Sequence, residues 1–126
     1  MSQRPRRPVS QRPRRTARQR LQDILDAIER IETYTLGKSA LDFAADAMLR
    51  DSVERNIERL SEATRHLPSA LTDLHPDIPW RAIADIGNVF RHAYDDLDIE
   101  MTWRVVERDL LPLKNAVQRL IEYTAE

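Results

Sequence analysis

Asn88, Arg91, His92 and Tyr94 fall within seven residues of one another. Together they offer an amide, a guanidinium, an imidazole and a phenol, the groups needed to bind and cleave a phosphodiester. An imidazole with its ordinary pKa of about 6.5 can give or take a proton near neutral pH. A guanidinium stays charged and can offset negative charge that develops on a phosphate during reaction. The amide of Asn88 can orient the imidazole or a phosphate oxygen. This chemistry requires a helix. Asn88 and His92 are four apart and share a helical face, and Arg91 lies four beyond Gly87 on that residue's face.

The positioning element is predicted over 79–94. Pro79 suits the first helical turn, and Asp77 is placed to cap it. Trp80, Ile83, Gly87 and Phe90 make an apolar stripe at 3–4 spacing, with Tyr94 at or just past the helix end. Other elements must support it. Leu21, Ile24, Leu25, Ile28 and Ile31 predict a first helix over 21–34, stopped at Gly37. A long second helix is expected over 39–66, opened by a Ser39–Asp42 capping box. Its buried face would be Leu41, Ala44, Ala45, Met48, Val53, Ile57 and Leu60. Its charged pairs, Asp46–Arg50, Asp51–Arg55 and Glu62–Arg65, read as a solvated face, with Arg55 or Asn56 as the residues that could face a cleft near His92. His66 suits the helix C-terminus, and a Pro-rich loop over 68–78 carries His75. A last helix is predicted over 99–122, capped by Asp98 and kinked or divided at Pro112. Its seam is Trp103, Val106, Leu110, Leu113, Val117 and Leu120.

The fold class that follows is all-α, a four- to five-helix up-and-down bundle. The chain has no Cys, so neither a disulfide framework nor thiolate chemistry is available. No apolar run approaches the roughly 18–20 residues of a membrane span, and a cytoplasmic location is expected. No His and acidic residues stand at metal-ligand spacing, so neither a metal nor another cofactor is expected. Residues 1–20 are different in kind. They hold eight Arg and no acidic residue, and Ser2–Arg7 recurs as Ser10–Arg15. Such a segment is expected to stay extended, as a disordered arm in front of a helical domain over 21–126. Arg12, Arg14 and Arg15 are its candidate RNA contacts, following the phosphate backbone. An extension without a role is the other reading. Without the arm, 12 basic residues face 21 acidic ones, a net charge of −9. That balance favours a narrow basic cleft or a basic protein partner over a broad RNA-gripping surface.

Several stretches together resemble the HepT-like branch of the HEPN superfamily. They are Val53–Ala63, Ile78–Ile83, Gly87–Tyr94, and Trp103 followed by Arg108–Leu113. The resemblance covers about residues 21–122. It implies a small helical bundle that dimerises and acts as a metal-independent RNA endonuclease toxin, paired with a minimal nucleotidyltransferase antitoxin. His92 would then move the proton, Arg91 would stabilise charge and Asn88 would orient. A homodimer would bring two such helices into one composite cleft. Tyr94 would be the acceptor for AMPylation by the antitoxin, or else a buried aromatic at the end of the stripe. One position departs from the pattern: Gly87 stands where an Arg is expected before Asn88. Arg91, one turn further along, is the sequence's candidate replacement. The departure also fits a catalytically inactive subunit that binds a nucleotidyltransferase. A plain helical adaptor with an Arg-rich tether is the third reading, with His92 merely contacting Asp95 and Asp96.

Overall fold

Thr16 sets the start of the first helix. The computed structural model describes residues 14–92 and 96–125, with side chains described outside 89–98. Thr16 accepts a hydrogen bond from the Gln19 N–H at 3.1 Å, and the Gln19 side chain accepts from the Thr16 N–H at 2.8 Å. This reciprocal cap starts helix α1 at Ala17–Thr35, so residues 17–20 of the expected arm are helical. Leu21, Ile24, Ile28 and Ile31 are fully buried, as their spacing predicts. Gly37 follows at φ 74°, a left-handed conformation that favours glycine and ends the helix.

The Ser39–Asp42 capping box is present at the start of α2, Ala40–Ala45. Hydrogen bonds from Ser39 hold the Asp42 carboxyl below its ordinary value. The expected continuous helix over 39–66 is, however, divided. Asp46 adopts extended backbone and accepts a hydrogen bond from the Leu49 N–H at 3.1 Å, as the cap of a new helix, α3, at Ala47–Arg65. A short carboxylate that can bond its own backbone favours a cap over a helix interior. Arg50 completes the corner by donating to the carbonyls of Phe43 and Ala44 at the end of α2.

The break resets the helical phase. Leu41 and Met48 are 82% and 79% exposed, and Ala44 and Ala45 are exposed too, against the sequence expectation. Phe43 and Leu49 point inward in their place. Phe43 packs on Trp103 with ring centroids 5.1 Å apart. Beyond the break, Val53, Ile57 and Leu60 are buried as expected.

A short α4, Ser69–Thr72, occupies the Pro-rich connection and leads to α5, Trp80–His92. The expected last helix is three pieces: α6 at Asp96–Arg104, a π turn at Val105–Asp109 and α7 at Leu110–Thr124. Asp98 therefore lies inside α6 and not at its cap. Pro112 falls in the first turn of α7. It has no N–H for the carbonyl four residues back and its ring crowds that carbonyl. The winding widens there, and the Leu110 N–H bonds to the Val105 carbonyl five residues before it. The extra residue puts Val105, not Val106, on the buried seam with Leu110, Leu113, Val117 and Leu120.

α1 lies between α3 and α7, and α3 carries α5. Lys114 at the start of α7 pairs with Glu32 near the end of α1 at 2.8 Å, so these two helices run in opposite directions. The described residues are helical with no strand, an all-α bundle. Among the described residues no helix is long and apolar enough to cross a membrane.

Phe43→Ala should destabilise the fold by about 3–5 kcal/mol in urea unfolding, because it empties a fully buried ring site. Leu41→Ala, two residues earlier, should change stability by less than about 0.5 kcal/mol. The reverse order would restore the helical phase of an unbroken 39–66 helix.

Candidate functional site

The helix that carries the candidate residues is fixed at its start by its own capping contacts. The Pro79 carbonyl accepts the first helical bond, from Ile83 N–H at 3.0 Å. The Trp80 indole donates to the His75 carbonyl at 2.9 Å, tying the Pro-rich loop to α5. Ile83 and Gly87 are buried, as the apolar stripe predicts, and Trp80 and Ile86 are packed against the core.

Asn88 follows Gly87 on α5 and is exposed. Arg91 and His92 are the last two residues of α5, with side chains outside the described set, as is that of Phe90. Asn88 and His92 are one helical turn apart, about 6 Å along the axis. Tyr94 and Arg12 lie outside the described residues. Arg14 is exposed just before α1. Arg15 forms an exposed bidentate pair with Asp23, at 2.7 and 2.8 Å. Of the two α3 residues that could face a cleft, Arg55 is exposed and Asn56 is buried, its amide N–H donating to the Ser52 carbonyl at 2.9 Å.

A groove of about 590 Å³ runs between α1, α3 and α5. Five arginines line it: Arg20, Arg30, Arg55, Arg59 and Arg65. Four carboxylates, Asp23, Asp26, Glu58 and Glu62, are interleaved with them, and Gly87 and Ser61 form its wall at α5. At that wall the buried Ser61 hydroxyl donates to the Ala84 carbonyl at 2.9 Å and accepts from the Gly87 N–H at 3.2 Å. Arg65, one turn later on α3, donates to the same Ala84 carbonyl at 2.9 Å. The sequence reading assigned Arg65 to a solvated pair with Glu62 and gave Ser61 no role. The ion pair exists, at 3.7 Å, but the guanidinium also reaches α5. The available signal was the i,i+4 spacing of Ser61 and Arg65 beside the apolar face of α3.

Glu62 is a local anionic hub. A hydrogen bond with His66 at 3.0 Å lowers its pKa below the usual carboxylate value, partial burial opposes this, and the charges of Arg65, His66 and Arg20 add to the lowering. Among the described residues no group of three or more His or acidic side chains is placed to hold a metal ion.

With this geometry in place, the comparisons with known proteins are specific. The family described as ribonuclease HepT-like matches residues 24–120, and the chain belongs to that family. A protein of Thermococcus cleftensis named a probable ribonuclease HepT is 36% identical over 100 residues, covering 79% of this chain and 91% of the relative. A protein of Methanocaldococcus jannaschii, named for a gamma-glutamylcyclotransferase and a candidate RNase, is 35% identical over 102 residues. That match takes in 81% of this chain and 46% of the relative, so the chain spans about half of that protein's length. No solved structure gives a significant match.

Ser61→Ala should cost about 0.5–1.5 kcal/mol, because it removes the hydroxyl that bridges the Ala84 carbonyl and the Gly87 N–H; chemical denaturation measures it. Glu62 contributes stability of a definite sign with pH. Its folded pKa lies below the model-peptide 4.5, so the contribution is present above that value and is lost as pH falls through the folded value. Glu62→Gln should lower the melting temperature at pH 7, and the gap to the wild type should close by pH 3.

Proposed function

We propose that this chain is a metal-independent RNA endonuclease that acts as the toxin of a toxin–antitoxin pair. One observation carries the reading: the chain belongs to the HepT-like ribonuclease family, and α5, which carries Asn88 and His92 one turn apart, contributes Gly87 to an arginine-rich groove. In the proposed reaction an RNA 2′-hydroxyl attacks the adjacent phosphorus. The 2′-O–P bond forms, the P–O5′ bond breaks, and the products carry a cyclic phosphate and a 5′-hydroxyl. One imidazole takes the 2′ proton and a second gives a proton to the leaving oxygen, a type of transfer typically worth about 10²–10⁴-fold. A homodimer supplies the second His92. Asn88 orients His92 or a phosphate oxygen, and the Arg91 guanidinium offsets the charge on the five-coordinate phosphorus.

The proposed partner is a minimal nucleotidyltransferase antitoxin that transfers AMP from ATP to the Tyr94 phenol oxygen, with loss of the phenol proton and release of pyrophosphate. The added phosphate charge and bulk would exclude RNA from the cleft. Arg12, Arg14 and Arg15 attract the RNA backbone in this reading, with Arg15 limited by its pairing to Asp23. Gly87, in place of the pattern's Arg, favours a second reading, a non-cleaving subunit that binds the nucleotidyltransferase.

Purified protein in EDTA should cleave RNA to cyclic-phosphate ends, and His92→Ala should reduce the rate at least 100-fold at unchanged melting temperature. Expression should arrest growth only with His92 intact. Harmless expression, no cleavage and tight binding to a co-expressed nucleotidyltransferase would establish the second reading.

A further inference from the structure

We infer that Arg65 of α3 supplies the phosphate-holding cation of the site, from across the groove, on the stretch of α5 where Gly87 has no side chain. The inference rests on the ribonuclease reading of His92. Displacement at phosphorus concentrates negative charge on the non-bridging oxygens, and a fixed cation beside them is what stabilises it. α5 provides no cation at position 87, and its wall of the groove there is bare backbone packed against Ser61. Arg65 covers that place. One Nη2 donor is anchored on the Ala84 carbonyl at 2.9 Å, three residues before Gly87 and four before Asn88.

A guanidinium has five N–H donors in a planar fork, so this anchor and a loose 3.7 Å contact with Glu62 leave donors for a phosphate. The side chain is 39% exposed and lines the groove, so a phosphate reaches it from solvent. The carbonyl anchor sets the guanidinium at a defined height on α5, within about two turns of His92. Glu62, 3.7 Å from Arg65 and hydrogen-bonded to His66, is the partner that an anionic ligand would displace from the fork. Arg20 and Arg59 line the same groove.

The test uses the full-length protein and labelled RNA in EDTA, with Arg65→Ala, Arg65→Lys, Gly87→Arg and the Arg65→Ala/Gly87→Arg double variant. Binding is measured in parallel on an RNA whose scissile 2′-hydroxyl is methylated. Arg65→Ala should slow cleavage about 10²–10³-fold, leave the melting temperature within a few degrees, and lower the salt slope of RNA binding by about 1. Arg65→Lys should recover part of the rate. The double variant should cleave at least tenfold faster than Arg65→Ala, because the guanidinium returns from the α5 side. A merely structural Arg65 would not be rescued that way. Cleavage and RNA binding by Arg65→Ala at wild-type levels would overturn the inference. If the wild type does not cleave, the ribonuclease reading fails, and the RNA-binding slope alone then decides for or against Arg65.

Discussion

The contact on which the candidate site depends is small: one serine hydroxyl between two helices. Ser61 accepts from the N–H of Gly87 and donates to the carbonyl of Ala84, and this buried bridge sets the depth at which α5 sits on α3. α5 leans chiefly on α3, so everything it carries inherits its position from that junction. The junction works because serine is short: its hydroxyl bridges two backbone groups of α5 from α3 without a longer side chain between the helices.

What the sequence made legible was whatever depends on uninterrupted helical periodicity. The faces of α1, of α3 beyond Val53, and of α7 beyond Leu110 are the ones their spacing predicts. So are the Ser39–Asp42 cap and the glycine stop at Gly37. The failures occur where a single residue resets the phase. Asp46 was read as a surface charge paired with Arg50. In the structure it caps α3, and Arg50 turns to the carbonyls of α2. Four residues expected in the core then face outward. Val106 was misplaced for the same reason, since a period of 3.6 cannot foresee the five-residue step of a π turn. In the site, the sequence placed Asn88 and His92 one turn apart on a single helix, and the helix is there. Arg65 escaped notice because a charged pair on one helix looks solvated until the neighbouring helix is known.

Charge is distributed to match. The chain beyond residue 20 is strongly acidic, yet arginines gather along one groove and alternate there with carboxylates. Arg55 pairs there with Glu58 and Arg65 with Glu62, exposed contacts that orient the two guanidinium groups and are individually weak. The Arg15–Asp23 pair does the same at the mouth of α1, where the basic segment joins the domain.

The π turn between α6 and α7 acts as a mechanical fuse. α7 is locked by its buried seam and by the Lys114–Glu32 pair, while α6 begins just after the functional end of α5. A wide turn stores one residue of slack. Its hydrogen bonds can pass from five-residue to four-residue spacing with a rotation of roughly 100° and a rise of about 1.5 Å. A shift of α6 along its axis is therefore taken up at Val105–Asp109 ahead of the buried seam of α7.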